Sequence, residues 1–434
     1  MTQHSGRLLR VLGLWFGLAA IVGNTIGAGI MRTPSEVARH LPMTEAYLLA
    51  WLAGGIYALL GAASLAELGV ALPRSGGPYV FAHRVFGPYI GFVAGWTDWI
   101  STCAAAAAVS MMVAEYAGWF GGLSLVEVAG LAAGVVVLVT AMLWKGVRSS
   151  GTTVELMTLV KVLVLLGVPL IAFATGTREP VAAAPGSAVA LGGIVLAMQA
   201  VIYSYDGWTG LLYFSGEVKD PARDIPRAMF SGVAAVTVVY LLLAGCFVYV
   251  LGIGGVAADS FPAGQVARIV FGDIGSAVIR IVVVLSGLGA VVAIIMMGSR
   301  VPHAMSGDGL FPRRAAFVNE GGTPVVTLAL STLLATGFII TGTFNQVIAV
   351  AAFFFVLTYV IAFSAVFALR WKEPDLARPY RALGYPVTTA ISWLGGMAFL
   401  VAAIVQDRRN SLIAIGILLA SYPVYRLLRL PREH

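Results

Sequence analysis

Three stretches of this sequence place binding chemistry where an apolar setting would otherwise exclude it. IVGNTIGAGIMRTP, residues 21–34, carries Gly23, Gly27 and Gly29 and ends on Pro34, inside what otherwise reads as an apolar helix. YSYDGW, residues 203–208, sets Ser204, Asp206 and Gly207 into a second apolar run. Lys161 stands near the middle of a third, TTVELMTLVKVLVLLGVPL. A helix unwound at Gly27 to Gly29 frees backbone N–H groups near Ala28, Gly29 and Ile30, with the positive end of the helix dipole behind them. That is a site for a carboxylate. Carbonyls left over at the end of the preceding half-helix, and those around Tyr203 to Tyr205, face the same gap and accept hydrogen bonds from an ammonium group. An α-amino acid carries both groups.

The elements that must position these residues belong in a bilayer. Of the 434 residues, 59% are hydrophobic and 11% charged, against about a quarter charged in soluble domains, and the mean hydropathy is +0.92. A span needs about 20 apolar residues. Twelve runs qualify, at approximately 11–39, 45–70, 88–117, 123–144, 152–175, 190–218, 227–252, 273–304, 323–342, 346–369, 386–405 and 410–428. With the N-terminus inside, Arg7, Arg10, Arg74, Arg84, Lys145, Arg148, Lys219, Arg223, Arg227, Arg300, Arg313, Arg314, Arg370, Lys372, Arg378, Arg381, Arg426, Arg429 and Arg432 all fall on the cytoplasmic side. Arg32, Arg39, Arg178, Arg268, Arg280, Arg408 and Arg409 fall outside, several beside Glu36, Glu179 or Asp407. Both termini are therefore expected in the cytoplasm, with the chain in the cytoplasmic (inner) membrane. The net charge of +7 expresses this bias and contact with lipid headgroups, so no nucleic-acid partner is implied. Arg7, Arg10 and the run behind them imitate a secretory leader, but the run is too long and eleven more follow, so it is expected to be retained.

Lys161 is then an ammonium close to mid-bilayer, which costs at least about 2.5–3.5 kcal/mol. Its side chain is too short to snorkel to either surface from that depth, so it is expected to face the bundle interior and donate to carbonyls freed by a broken helix. Gly23 and Gly27 alone would also suit close helix packing, as a small-xxx-small pair. Paired breaks change that reading. They open the first and sixth spans, equivalent positions if spans one to five and six to ten are two copies of one unit, and such inverted repeats point to a midplane transport site.

Four motifs together carry a family resemblance. GNTIGAGI resembles the unwound first-helix motif of the amino acid, polyamine and organocation transporter superfamily, particularly its L-type amino acid transporter branch. AELGVALPRSGGPYVF, 66–81, is similar to the loop after that group's second span; YSYDGW with GEVKDPARDIPRAM resembles its sixth span and following loop; SGDGLFPR, 306–313, resembles the loop after the eighth. The resemblance runs from about residue 12 to 370. It implies an all-α integral membrane fold, LeuT-like, in a single domain of twelve transmembrane helices: repeat one over 11–175, repeat two over 190–369, and two further helices over 386–428. Helices 1 and 6 would be discontinuous. Carried over by position, Gly27, Ala28 and Gly29 bind the substrate carboxylate, with Thr25 and Ile26 on the amino side. Tyr203 is the aromatic gate, and Ser204, Asp206 and Trp208 line the opposite wall. Lys161 matches a fifth-span lysine that takes the place of a sodium ion, which implies sodium independence.

Three positions depart from the family pattern. Ala28 replaces a frequent Ser. Asp206 replaces a small residue and either selects a cationic side chain or hydrogen-bonds the unwound segment. In the eighth span only Ser286 is available as the usual serine partner of Lys161, and carbonyls near Gly23 and Asn24 are the alternative acceptors. Ala104 to Ala108 make the third span small-faced, either to leave room for a bulky side chain or to pack helices closely. Asp98, Glu115 and Glu155 lie towards helix ends, and Glu67 and Glu217 towards the cytoplasmic mouth, which leaves Asp206 as the acid able to meet a cation.

These features imply sodium-independent transport of neutral L-amino acids, as an exchanger if Lys161 keeps its proton throughout and as a proton symporter if it does not. A cationic amino acid or polyamine carrier using Asp206 is the alternative substrate reading, and a non-transporting membrane sensor the alternative class. An enzyme is not implied. His4, His40, His83, His303 and His434 all sit at loops or ends without metal-ligand spacing, and no Ser, His and acid set converges within a span. No cofactor is implied, because Gly27-x-Gly29 lacks the strand and ribose-binding acid of a dinucleotide site. Cys103 and Cys246 both fall inside spans, so no disulfide-linked partner chain is implied. The sequence does not specify an oligomeric state.

Overall fold

Backbone in a hydrocarbon solvent must satisfy its own hydrogen bonds, and apolar runs of this length do so as helices. The computed structural model describes residues 13–118, 122–144, 150–178, 190–319 and 323–429, with side chains described except at 28, 150–158, 160 and 429. His4, Arg7, Arg10, Lys145, Arg148, Glu179, Arg432 and His434, and the side chains of Ala28, Glu155 and Arg429, lie outside this description.

The described residues form helices and turns without strands. In chain order the helices are α1 (Leu14–Thr25), α2 (Ala28–His40), α3 (Thr44–Ala71), α4 (Pro78–Phe86), α5 (Pro88–Ala117), α6 (Leu125–Trp144) and α7 (Ser150–Thr175). They continue as α8 (Leu191–Tyr205), α9 (Pro221–Ala258), α10 (Pro262–Gly307), α11 (Val325–Thr341), α12 (Phe344–Lys372), α13 (Val387–Gln406) and α14 (Arg408–Arg429). Among the described residues eight helices are long and apolar enough to cross a membrane, and nine spans result if the bent pair α1 and α2, inclined at 43°, counts as one. Each apolar run of the sequence is occupied by helix.

The run 190–218 is not one helix. α8 stops at Tyr205, residues 206–209 turn, and Gly210–Glu217 forms a 3-10 helix. The segment between the runs 227–252 and 273–304 is itself helical, because the α9 and α10 segments continue past breaks at Gly252 (φ 66°) and Gly272 (φ 71°). Only glycine enters that left-handed region without strain. The chain between the two breaks folds back on the protein and buries Val256, Phe261 and Val266.

Burial sorts the helices by role. In α5, 89% of the most apolar window is buried, against 17% in α14, so α5 forms the centre and α14 the lipid-facing rim. Ala104 to Ala108 are all buried along α5. The first half-helix, α1, lies along α9, and glycines set that approach: a Cβ at Gly17 would fall 2.9 Å from the Ala228 Cβ, and one at Gly232 would fall 3.1 Å from the Ile21 Cβ. Overpacking such a contact costs about 1–3 kcal/mol. Gly232→Val is therefore expected to lower the melting temperature of the purified protein, whereas substituting Gly130 of α6, which has nothing within 4 Å, leaves it unchanged.

Candidate functional site

The two breaks meet. At the first, α1 ends with Ile26 N–H donating to Val22 O (2.9 Å) and Gly27 N–H to Thr25 O (2.8 Å). α2 then begins with Gly27 as its N-cap and no side chain capping it. The first-turn amides of α2 are thus left to whatever occupies the gap. A Cβ at Gly27 would meet nothing closer than 3.6 Å, so the missing side chain leaves room for a ligand. Gly29 serves a different purpose, since a Cβ there would fall 2.5 Å from the Ser204 Cα. That glycine lets α2 lie directly on α8.

The Lys161 side chain crosses from α7 to the end of α1 and donates to Gly23 O (3.0 Å) and Ile26 O (2.5 Å). It is buried, at 7% exposure. The second acceptor is thus Ile26 and not Asn24, because the turn at Ile26 and Gly27 swings the Ile26 carbonyl out of the α1 ladder. The Ile26 side chain is fully buried. Asn24 instead points its amide at Met297 Sδ (3.6 Å), and its Oδ1 is buried without a hydrogen-bond partner. Ser286 is half-buried on α10 and is not an acceptor for the ammonium.

Between the breaks lies a cavity of about 40 Å³ lined by Asn24, Thr25, Gly27, Gly29, Tyr203 and Asp206 from the two breaks. Thr102 and Ala105 of α5, Thr209 and Tyr213 beyond the second break, and Ile294 and Met297 of α10 complete most of its wall. Ala105 thereby brings the small face of α5 to the cavity while its neighbours pack. That is far below the range of small-molecule sites, about 300–1,000 Å³, so admitting an amino acid requires the broken helices to part. Thr25 Oγ1, like Asn24 Oδ1, is a buried polar atom without a partner in this wall. Tyr203 lines the cavity and lies edge-on to Phe344, with ring centroids 6.2 Å apart. Arg32 lies over the Phe344 ring at 5.1 Å and pairs with Glu115 at 3.1 Å.

Two residues expected on the cavity wall stand elsewhere. Ser204 faces α2, with its Oγ 2.6 Å from Thr33 Oγ1, and each of these hydroxyls also reaches a carbonyl one turn back, Ala200 O and Gly29 O, at 2.7 Å. Trp208 turns away from the cavity and packs on Tyr359 of α12 with ring centroids 5.0 Å apart. Once the backbone unwinds, helical spacing no longer says which way a side chain points. Asp206 does line the cavity, and its carboxylate accepts a hydrogen bond from the Tyr359 hydroxyl. Asp98, expected near a helix end, is instead a buried neighbour of the site. It accepts from the cavity-lining Tyr213 (2.5 Å), and its second oxygen has no partner.

Tyr240 of α9 is the residue that sequence reasoning missed. Its fully buried hydroxyl lies 2.6 Å from Thr25 O and 2.8 Å from Ser204 O, the carbonyls released at the two breaks. A tyrosine in the apolar run 227–252 carries no signal of this, since nothing in the run says that it faces two unwound segments. Gly207, at φ +115°, completes the junction, because a Cβ there would sit 2.9 Å from Thr25 Oγ1. Removing the Tyr240 hydroxyl takes this donor from the buried Ser204 carbonyl, about 1–3 kcal/mol, and leaves Thr25 O with Gly27 N–H alone. Tyr240→Phe is expected to slow amino acid uptake into proteoliposomes about tenfold, the equivalent of 1.4 kcal/mol within that range, while the protein still purifies as a folded monodisperse species.

The serine/threonine exchanger SteT of Bacillus subtilis (strain 168) is 27% identical over 433 residues, 98% of this chain and 98% of its own. The human b(0,+)-type amino acid transporter 1 is 26% identical over 411 residues, 91% of this chain and 82% of its own. The mouse large neutral amino acids transporter small subunit 2 is 27% identical over 444 residues, covering 97% of this chain and 81% of its own. The profile of the amino acid permease family matches residues 12–420. Spanning nearly all of the described helices, that match makes this chain a multi-pass membrane protein of the amino acid permease family, in the amino acid, polyamine and organocation superfamily, and a transporter, not an enzyme.

Proposed function

We propose that this permease carries neutral L-amino acids across the cytoplasmic membrane without sodium, exchanging one amino acid for another by alternating access. The observation that carries the proposal is the Lys161 ammonium donating to Gly23 O and Ile26 O at the end of α1. A fixed positive charge on the carbonyls of a broken helix occupies the position a sodium ion would need. The substrate carboxylate then falls to the uncapped amides at Ala28, Gly29 and Ile30, and its ammonium to the unpartnered Thr25 Oγ1 and Asn24 Oδ1. Tyr203 with Phe344 closes over it, and Asp206, engaged by Tyr359, steadies the second break. In this reading the runs form twelve spans in a five-plus-five inverted repeat, with both termini cytoplasmic. Substrate crosses when the bundle holding α1, α2, α8 and the 3-10 segment rocks against the rest.

One observation favours a second substrate reading. Asp206 at the cavity and Asp98 behind Tyr213 form no ion pair among the described residues. A buried carboxylate gains from a cation, and the side chain of a cationic amino acid supplies one.

Proteoliposomes separate these readings. Labelled leucine or serine uptake is expected to need unlabelled amino acid inside and to proceed equally in sodium and choline salts. Arginine taken up in preference to both substrates supports the cationic reading. Uptake that ignores internal substrate and follows an imposed pH gradient replaces exchange with proton symport. Lys161→Ala takes a donor from the buried carbonyls of Gly23 and Ile26, about 1–3 kcal/mol each, and is expected to cut exchange at least a hundredfold, whereas unimpaired transport by this variant refutes the sodium-substitute role.

A further inference from the structure

The unwound segment of the second break is a thin wall between two spaces. On one side Asp206, Gly207 and Thr209 line the central cavity, and on the other Ile202, Tyr205 and Trp208 line a second cavity of about 370 Å³. The second cavity lies between α3, α8, α12 and α13, and its volume falls within the range of small-molecule sites, about 300–1,000 Å³. None of its lining residues carries a charge.

Its mouth is continuous with the lipid-facing flank of the bundle. Leu191 and Ile194 of α8 line it and are 63% and 41% exposed, and on α13, which supplies another wall, Leu394 and Val401 are exposed to a similar degree. The solvent that reaches such a mouth is hydrocarbon. Beyond the Tyr57 hydroxyl, which has no hydrogen-bond partner, the lining offers water little to bind, while an unfilled space forfeits dispersion contacts over its wall.

We propose that this second cavity holds an acyl chain of a membrane lipid, and that the seated chain props the sixth-span break in the position seen here. Tyr359 makes the connection. Its ring lines the apolar cavity and packs on Trp208, while its hydroxyl donates to Asp206 in the central cavity. A chain lying against Trp208 and Tyr359 keeps that hydroxyl on Asp206. When the chain withdraws, both rings gain room to swing outward and residues 206–209 are free to leave the substrate. Occupancy stands apart from the transport reading, whereas the propping role rests on it.

The test uses the full chain in vesicles of phosphatidylethanolamine and phosphatidylglycerol, with a tracer phospholipid bearing a diazirine in its acyl chain. After illumination, label is expected on Met198, Phe399 or Ala402 as well as on the rim helix α14. Ala402→Phe and Ala53→Phe, which fill the cavity from two different helices, are each expected to abolish the first label, keep the second, and change the KM for amino acid exchange about fivefold, the lower end of usual coupling between sites. A wild-type protein labelled on α14 but not in the cavity overturns the occupancy. Variants that lose the cavity label while their KM stays unchanged overturn the propping role. Cavity label on a protein that moves no amino acid supports occupancy and counts against the transport reading alone.

Discussion

A backbone interrupted inside a bilayer has no water to accept its loose ends, and in this protein one ammonium meets that constraint. Lys161 reaches from α7 to the carbonyls of Gly23 and Ile26, satisfying the end of α1 while the start of α2 stays open. The asymmetry is what makes a site. Had a side chain also capped α2, the break would be a closed structural joint with no demand for a ligand. Because only the carbonyl side is answered from within the protein, the amide side presents hydrogen-bond donors at the positive end of a helix dipole.

The second break depends on the first. Gly29 brings α2 onto Ser204, Gly207 turns against Thr25, and the Ser204 and Thr33 hydroxyls tie the two half-helices together. These contacts hold the gap to about 40 Å³ while the remainder of each half-helix packs on long, buried neighbours such as α5 and α9. The similarity to SteT runs over almost the entire length of both chains, and so takes in the residues of α13 and α14 as well.

Much of this was legible in the residues themselves. An ammonium in the middle of an apolar run leaves few options, so cost directs Lys161 to carbonyls freed by a broken helix, with those near Gly23 and Asn24 as the alternatives to Ser286. Glycine spacing located the first break, and the polar residues of YSYDGW located the second. What could not be read was direction. Helical periodicity assigns a face to each side chain, but residues 206–209 have no period, and Asp206 and Trp208 ended on opposite sides of the backbone. The same loss of register moved the second Lys161 contact from Asn24 to Ile26. Tyr240 and Asp98 were hidden for another reason: each lies in an ordinary helix, and its importance comes wholly from what the fold brings beside it.

Tyr240 carries one proton and faces two acceptors, Thr25 O at 2.6 Å and Ser204 O at 2.8 Å. Thr25 O also accepts from Gly27 N–H at 2.8 Å, so the two ends of this bridge are not equivalent. The hydroxyl joins the carbonyls at the ends of α1 and α8 from α9, a helix that belongs to neither break, so the spacing of the two broken helices is set by a third.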